Sequence, residues 1–435
     1  MKWFTIIPFM NELQEPLIVV GGGGSGLVAA ERAASMGARV LLLERTPRLG
    51  TKLLVSGGGK CNITHAGEIG ELLMAFNPHE RRFLKPSFYR FSNRDILRLL
   101  EDEGVPSFAR PDGRVFPVSG RAKDVVEAFA RRMKRVGVDL RLRTPVASLI
   151  VSEGSVVGVQ LGTVHYHASL VIIATGGASY PKTGTTGDGY RWLRVSGHTI
   201  VPIRPALAPI TIDPPLPIHW RGVAIRDGQL SAYASGRKIA HWDGDILFTH
   251  EGISGPAALE ISTVAADAMD TGTVDIHFDF FPHVEYSALD ATFTDTIRIN
   301  SGKQISSILE AWLPNRIVPF LLSAVSIPAD QRAYSLTREQ RRLIIAFLKH
   351  WHLGTVSHID LERGEVTAGG VALSEVDPHT MRSRKILGLY LCGEVLDIAG
   401  PVGGYNLQAA FSTGFVAGEA AAREWLQSGD TSART

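Results

Sequence analysis

Four runs along the chain are apolar without alternating polar positions. They are Leu17–Val20, the stretch "ARVLLLE" ending in Glu44, "LVIIAT" from Leu170, and "GLYLCG" ending at Gly393. A strand covered on both faces by helices has this pattern, so the four runs predict a parallel sheet. Between the first two lies "LVAAERAASMG", rich in good helix formers and closed by Gly37 as a helix stop. Ser92 and Asp95 form a capping pair that opens the helical stretch "DILRLLEDE", stopped at Gly104. Ser119 is read as the cap of "RAKDVVEAFARRMKRV", stopped at Gly137. Three β-rich stretches near 139–151, 155–161 and 164–175 predict a meander that feeds back into the main sheet.

From Pro202 to Pro217 the chain becomes proline-rich, which marks a crossing into a second domain. Residues 206–290 read as short strands and 303–350 as helices, with a return to the first domain between 355 and 370. The expected organisation is a discontinuous first domain, 1–203 and 356–435, with an insert at 204–355.

The first strand runs into four consecutive glycines, and the motif is Gly21-x-Gly23-x-x-Gly26. In a strand–turn–helix context each glycine has a task. Gly21 makes the tight turn, Gly23 lets a pyrophosphate approach the backbone, and Gly26 lets the helix pack on the strand. Gly24 and Ser25 open the helix, whose free N–H groups and dipole favour phosphate. Glu44 lies 18 residues after Gly26, where a carboxylate accepts the hydroxyls of an adenosine ribose, and Arg45 follows it. These features predict a dinucleotide site.

Three further segments choose the dinucleotide. "KLLVSGGGKCNITH" brings Lys52, Gly58, Gly59, Lys60, Cys61 and Asn62, a glycine-rich loop suited to a diphosphate and a flavin. The third apolar run ends in Ala174, Thr175 and Gly176. The fourth ends in Gly393 and Glu394, and a turn through Gly400, Gly403 and Gly404 then enters a helix at Tyr405, Asn406 and Leu407. A carboxylate there can take a ribityl hydroxyl, and the helix N-terminus can face the flavin edge that gains negative charge on reduction. A nicotinamide enzyme needs no such turn. FAD is therefore the expected cofactor, and Val146 completes the expected binding set.

Composition adds limits. A net charge of +2, with 45% hydrophobic and 20% charged residues, suits a globular enzyme and gives no overall case for a nucleic-acid or membrane partner. Locally, Glu80–Arg143 carries 16 Lys/Arg against 9 Asp/Glu, which motivates an alternative: a flavoprotein that binds tRNA or another macromolecule through 80–143. Two cysteines without metal or dithiol spacing fit a reducing compartment. The opening "MKWFTIIPFM" is short, broken by Pro8, and makes a poor signal peptide, so a cytoplasmic location is expected.

The segments "SGGGKCNITH", "GRVFPVSGRAKDVVEAF", "ATGGASYPKTGTTGDGY", "FTHEGISGPAAL" and "EVTAGGVALSEVDPHTM", with the long stretch from Gly388 to Gly414, resemble the YhiN/BaiN-like family of bacterial FAD-dependent oxidoreductases, also known as the aminoacetone-oxidase type. The likeness runs from about Leu17 to Ala422. It implies an α/β fold: a Rossmann-like FAD-binding domain with an inserted β-barrel-like and helical domain. The "TAGG" and "GLYLCGE" segments are also similar to fumarate-reductase-type flavoproteins. The "HTMGG" histidine of those proteins is missing, since Glu365-Val366-Thr367-Ala368 stands in its place, and this argues against fumarate chemistry.

Candidate catalytic residues are His250 in "FTHEGISGPAAL" as a general acid, Tyr405 beside the flavin, and Cys61 as a thiol. Each has a structural alternative: a loop-ordering histidine, a packing ring and a small buried core residue. Lys60 and Lys182 suit an anionic substrate, although exposed lysines are common. The expected activity is hydride transfer between bound flavin and a small molecule or NAD(P)H. There is no second GxGxxG unit about 150 residues downstream, so NAD(P)H enters only as a transient reductant without its own domain.

Overall fold

The computed structural model describes residues 14–432, so the apolar opening segment lies outside the described residues. The chain divides into two compact units: residues up to Ile203 together with those from Gly369 onward, and Arg204–Ala368. It passes from one to the other in the strands Ile200–Ala206 and Val366–Val371.

The first unit is built on a five-stranded parallel sheet. Its order is Leu389–Leu391, Val171–Ile173, β1 (Leu17–Val20), β2 (Val40–Leu43) and Asp139–Arg141. The four unalternated apolar runs are thus four adjacent strands of it, and every residue of β1 and β2 is buried. The helix α1 (Gly24–Ser35) connects β1 to β2. A three-stranded antiparallel meander, Ser148–Ser152, Ser155–Leu161 and Val164–His167, lies between the edge strand and Val171–Ile173.

The long helix Tyr405–Ser432 lies against α1. Gly414 and Gly418 make this possible: a Cβ on either would overlap the backbone of Ser25 or Ala29. Its Glu419 side chain, only 5% exposed, is shared by Arg32 on α1, Arg90 on the helix Pro78–Arg90, and Arg423. Burial opposes ionisation of Glu419, but its bonds to Arg90 and the charge of Arg32 outweigh it and hold the carboxyl below the usual range. Glu419→Gln is therefore expected to cost about 1–3 kcal/mol at pH 7, discounted because Arg90 and Arg423 are more than half exposed. A group with a depressed folded pKa contributes above its unfolded value. The deficit should be full above about pH 4.3 and fade as the pH falls through the folded value, as read by urea denaturation.

The second unit is a closed six-stranded antiparallel barrel with helices beside it. The strand order is Ile210–Asp213, Gly252–Ser254, Arg237–Phe248, Ala224–Ala234, Val274–Asp279 and Trp351–Ile359. Two sequence expectations are corrected here. Residues 206–290 are not only short strands: they hold strands of 11 and 12 residues, the helix Pro256–Met269 and the start of a second, Tyr286–Ile299. The return from the insert also comes later than 356. Trp351–Ile359 closes the barrel by pairing with both Ile210–Asp213 and Val274–Asp279. Among the described residues no helix is long and apolar enough to cross a membrane.

Candidate cofactor site

The turn from β1 into α1 is shaped by two crowded glycines and one open one. Gly21 has φ +105° and donates its N–H to the Leu43 carbonyl at 2.8 Å. A Cβ on Gly21 would overlap the Ala174 carbonyl, and one on Gly26 would overlap the Gly21 carbonyl oxygen. Gly23 differs: a Cβ there would meet nothing within 4 Å. The protein's own packing gives no reason for glycine at this position. Gly23 is also the N-cap of α1, which has no side-chain cap and no acid in its first turn. The N–H groups that open α1 at Gly24, Ser25 and Gly26 are left without a side-chain acceptor. The Ser25 hydroxyl itself is buried against Gly393.

Glu44 ends β2 with its carboxylate aimed back at the glycines. One oxygen accepts the Gly22 N–H at 2.6 Å and the other the Thr46 N–H at 2.7 Å. A carboxylate has about four lone-pair sites, so two hydroxyls can still be accepted. Val146, partly buried, follows Thr144, whose N–H bonds the Glu44 carbonyl at 2.9 Å. Arg45 departs from expectation. It pairs with Asp188 at 2.7 Å and bonds Thr186, so its charge is spent on the loop before the helix Asp188–Val195.

Lys52 lies on α2 (Thr51–Gly59) and also departs from expectation. Its Nζ meets Glu394 at 2.8 Å and Ser179 at 2.9 Å, so the two charges pair with each other and hold α2 to the end of Leu389–Leu391. Left-handed Gly57, Gly58 and Gly59 unwind the end of α2, and Lys60 after them is exposed. Cys61 is fully buried, and burial pushes its thiol up to about 12, against a bond to Ser56. Its burial and raised thiol favour the packing alternative. The next residue is more informative. Asn62 Oδ1 and Thr175 Oγ1 are both buried without a hydrogen-bond partner. Thr175 sits between Ala174, whose N–H bonds Val20, and Gly176. Such atoms cost free energy unless a ligand answers them.

The turn Asp397–Gly404 is bound at its backbone. Asn406 accepts the Gly400 N–H at 2.8 Å and donates to its carbonyl at 2.7 Å, so this side chain closes the turn. Gly404 approaches Thr64 so closely that a Cβ would lie 2.5 Å from its carbonyl. Leu407 is half-buried on the first turn of the helix. Tyr405 stacks on His65 at 4.7 Å and meets Phe76 edge-on at 6.2 Å, which favours the packing role for this ring. His65 Nδ1 in turn bonds the Gly403 carbonyl at 3.1 Å. His65, Ser179 and Glu80 touch this turn or the Lys52–Glu394 ion pair, and the motif reading did not single them out. His65 and Ser179 stood inside quoted motifs, whereas Glu80 appeared only as the first residue of the basic stretch. His250 is exposed on the turn Thr249–Glu251 of the second unit, and Lys182 is exposed in a short 3-10 turn.

An open glycine, an uncapped helix start, a ribose-ready carboxylate and two orphaned polar atoms converge on one unit. The sequence model of the HI0933-like protein Rossmann domain matches residues 15–420. The chain belongs to the HI0933-like family. It is an FAD-dependent oxidoreductase with a Rossmann FAD-binding domain. Two relatives cover nearly all of it. One is the ribosomal RNA dihydrouridine synthase of Escherichia coli, 30% identical over 91% of this chain and 95% of its own. The other is the 3-dehydro-bile acid delta(4,6)-reductase of Clostridium scindens, 30% identical over 93% and 98%. Solved structures share the fold. Quinol fumarate reductase of E. coli aligns with TM-score 0.50 at 16% identity, over 96% of this chain and 71% of that one. The 3-ketosteroid delta1-dehydrogenase of Sterolibacterium denitrificans aligns with TM-score 0.50 at 13% identity, over 94% and 100%. The residues present fit the family's cofactor: FAD brings a diphosphate for the α1 N–H groups, ribose hydroxyls for Glu44, and polar atoms for Asn62 and Thr175.

Proposed function

We propose that the protein reduces a carbon–carbon double bond conjugated to a carbonyl in a small molecule, with NAD(P)H as the transient reductant. The observation that carries this reading is that three full-length relatives, 28–30% identical, are named for adding hydrogen across such a bond: the pyrimidine of uridine in two of them, the delta(4,6) system of a bile acid in the third. FAD, when bound, supplies the two-electron chemistry. The chain's residues bind and polarise it. Glu44 holds the ribose hydroxyls. The first N–H groups of α1, with the open side of Gly23, hold the diphosphate. Asn62 and Thr175 satisfy buried polar atoms of the cofactor. Glu394, oriented by Lys52, would take a ribityl hydroxyl, and the N-terminus of Tyr405–Ser432 would favour the charge that the flavin gains on reduction.

A small molecule is favoured over RNA by the fate of the basic stretch. Nine of its 16 cations (Arg90, Arg94, Arg114, Arg121, Lys123, Arg131, Arg132, Arg135 and Arg141) lie within ion-pair distance of a carboxylate. Paired charges release few counterions from a phosphate backbone. The test is anaerobic. FAD-loaded protein is bleached with NADH or NADPH, then mixed with a conjugated 3-ketosteroid or with purified bacterial ribosomal RNA. Return of the flavin colour with the ketosteroid is the expected result. Return with the RNA alone would overturn the small-molecule assignment, and return only on admitting oxygen would make the protein an oxidase.

A further inference from the structure

Glu80 is 6% exposed, yet it is a carboxylate on the flank of the turn that leads to the flavin-facing helix. One oxygen accepts the Asn77 N–H at 3.1 Å, the ordinary duty of an acid three residues into a capped helix. The other reaches out of its own helix and accepts the Ala399 N–H at 2.9 Å. The turn Asp397–Gly404 is therefore held by Glu80 at Ala399, by Asn406 at Gly400 and by His65 at Gly403. Phe76 packs beneath it, so close that a Cβ on Gly400 would lie 2.7 Å from the ring. Asn406 brings an amide and His65 an imidazole. Glu80 alone of the three brings a carboxyl.

We infer that Glu80 is a positioning residue for this turn and, through it, couples the charge the protein offers the flavin to a single proton. The inference rests on the assignment of the turn and helix to the flavin made above. Burial pushes the Glu80 carboxyl up to about 7, against its bonds from Ala399 and Asn77, and the negative charge of Asp397 adds to the rise. The other titratable groups around the turn are His65 on its far flank, Tyr405 at the head of the long helix, and His79 and Arg81 on Glu80's own helix. Arg81 is turned away, toward Met74 and the Phe76 carbonyl. Below neutral pH Glu80 is a neutral acceptor. Above it a negative charge stands beside the turn and opposes the charge that reduction places on the flavin.

The measurement is the flavin midpoint potential of FAD-loaded wild type and E80Q from pH 6 to pH 8.5, beside an absorbance titration of FAD affinity. Gln keeps an oxygen for the Ala399 N–H but cannot ionise. The two potentials should coincide at pH 6. At pH 8.5 E80Q should favour reduced over oxidised FAD three- to tenfold more than wild type, a positive shift of about 15–30 mV for a two-electron couple. A purely structural role would displace E80Q equally at every pH, and parallel curves would overturn the inference. Asp397→Asn provides the independent arm: removing that charge should move the wild-type bend to lower pH, and an unmoved bend would count against Glu80 as its source. Wild type that binds no FAD in the titration would refute the flavin reading itself, an outcome separate from parallel curves.

Discussion

Gly26→Ala should strip the protein of FAD and destabilise its first unit by about 3 kcal/mol. The new methyl would overlap the Gly21 carbonyl oxygen, the atom at the sharpest part of the β1–α1 turn. Neither partner can yield alone. Gly21 is fixed by its N–H to Leu43 and by the Ala174 carbonyl just past the end of the neighbouring strand. The helix α1 is fixed by the close approach of Gly414 and Gly418 along its other side. To relieve the clash α1 must back away from the sheet, and the N–H groups at its start move with it. FAD affinity should fall more than 100-fold by absorbance titration, with a matching loss in denaturant midpoint. Gly23→Ala separates ligand from fold. Its methyl meets no protein atom within 4 Å and its backbone is extended (φ −81°, ψ −172°), so the denaturation midpoint should hold. Its FAD affinity should still fall about tenfold, because the space that methyl fills is the space assigned to the diphosphate. A Gly23→Ala protein that binds FAD as tightly as wild type would refute that assignment.

Glu44→Ala should have the second largest effect. The carboxylate accepts two backbone N–H groups, from Gly22 and Thr46, and is 8% exposed. Its removal leaves both donors without their acceptor, at about 1–3 kcal/mol of stability. It also removes the partner assigned to the ribose. FAD affinity should fall roughly 100-fold, near 3 kcal/mol. Glu44→Gln is a sharper probe: an amide keeps one acceptor oxygen but presents a donor where the second N–H points. It should lose most of the affinity and less of the stability. Unchanged FAD binding in both variants would detach Glu44 from the cofactor.

What could be read from the sequence was local. Leu17–Val20, the three spaced glycines, the helix and Glu44 lie within 28 residues, and each constrains the next through backbone geometry. The fate of Arg45 could not be read, because Asp188 lies 143 residues away. Lys52 and Glu394 were each recognised as cofactor-side charges, but their pairing is a product of sheet order: it needs Leu389–Leu391 beside Val171–Ile173. Ser119 was read as a cap, but Arg121 takes that position and Ser119 instead accepts its N–H at 3.4 Å. In the second unit the signal was present and under-weighted. Pro256 at a helix start followed by an alanine-rich stretch marks Pro256–Met269, while the neighbouring long strands drew the whole region into a β reading. The closing barrel strand Trp351–Ile359 lies after the helices, so no local pattern assigns it to the barrel.

The ion pair between Lys52 and Glu394 has a consequence for biosynthesis. Its members stand 342 positions apart. At about 5–20 residues per second on a ribosome, Lys52 waits roughly 20–70 s for its partner to be made. During that interval α2 and the glycines behind it lack the anchor that fixes them to the sheet, and the helix Tyr405–Ser432 does not yet exist. A nascent chain is therefore expected to retain FAD poorly, however early β1, α1 and β2 assemble. Flavin capture then reports that translation has passed the long helix, and a stalled or truncated product stays colourless.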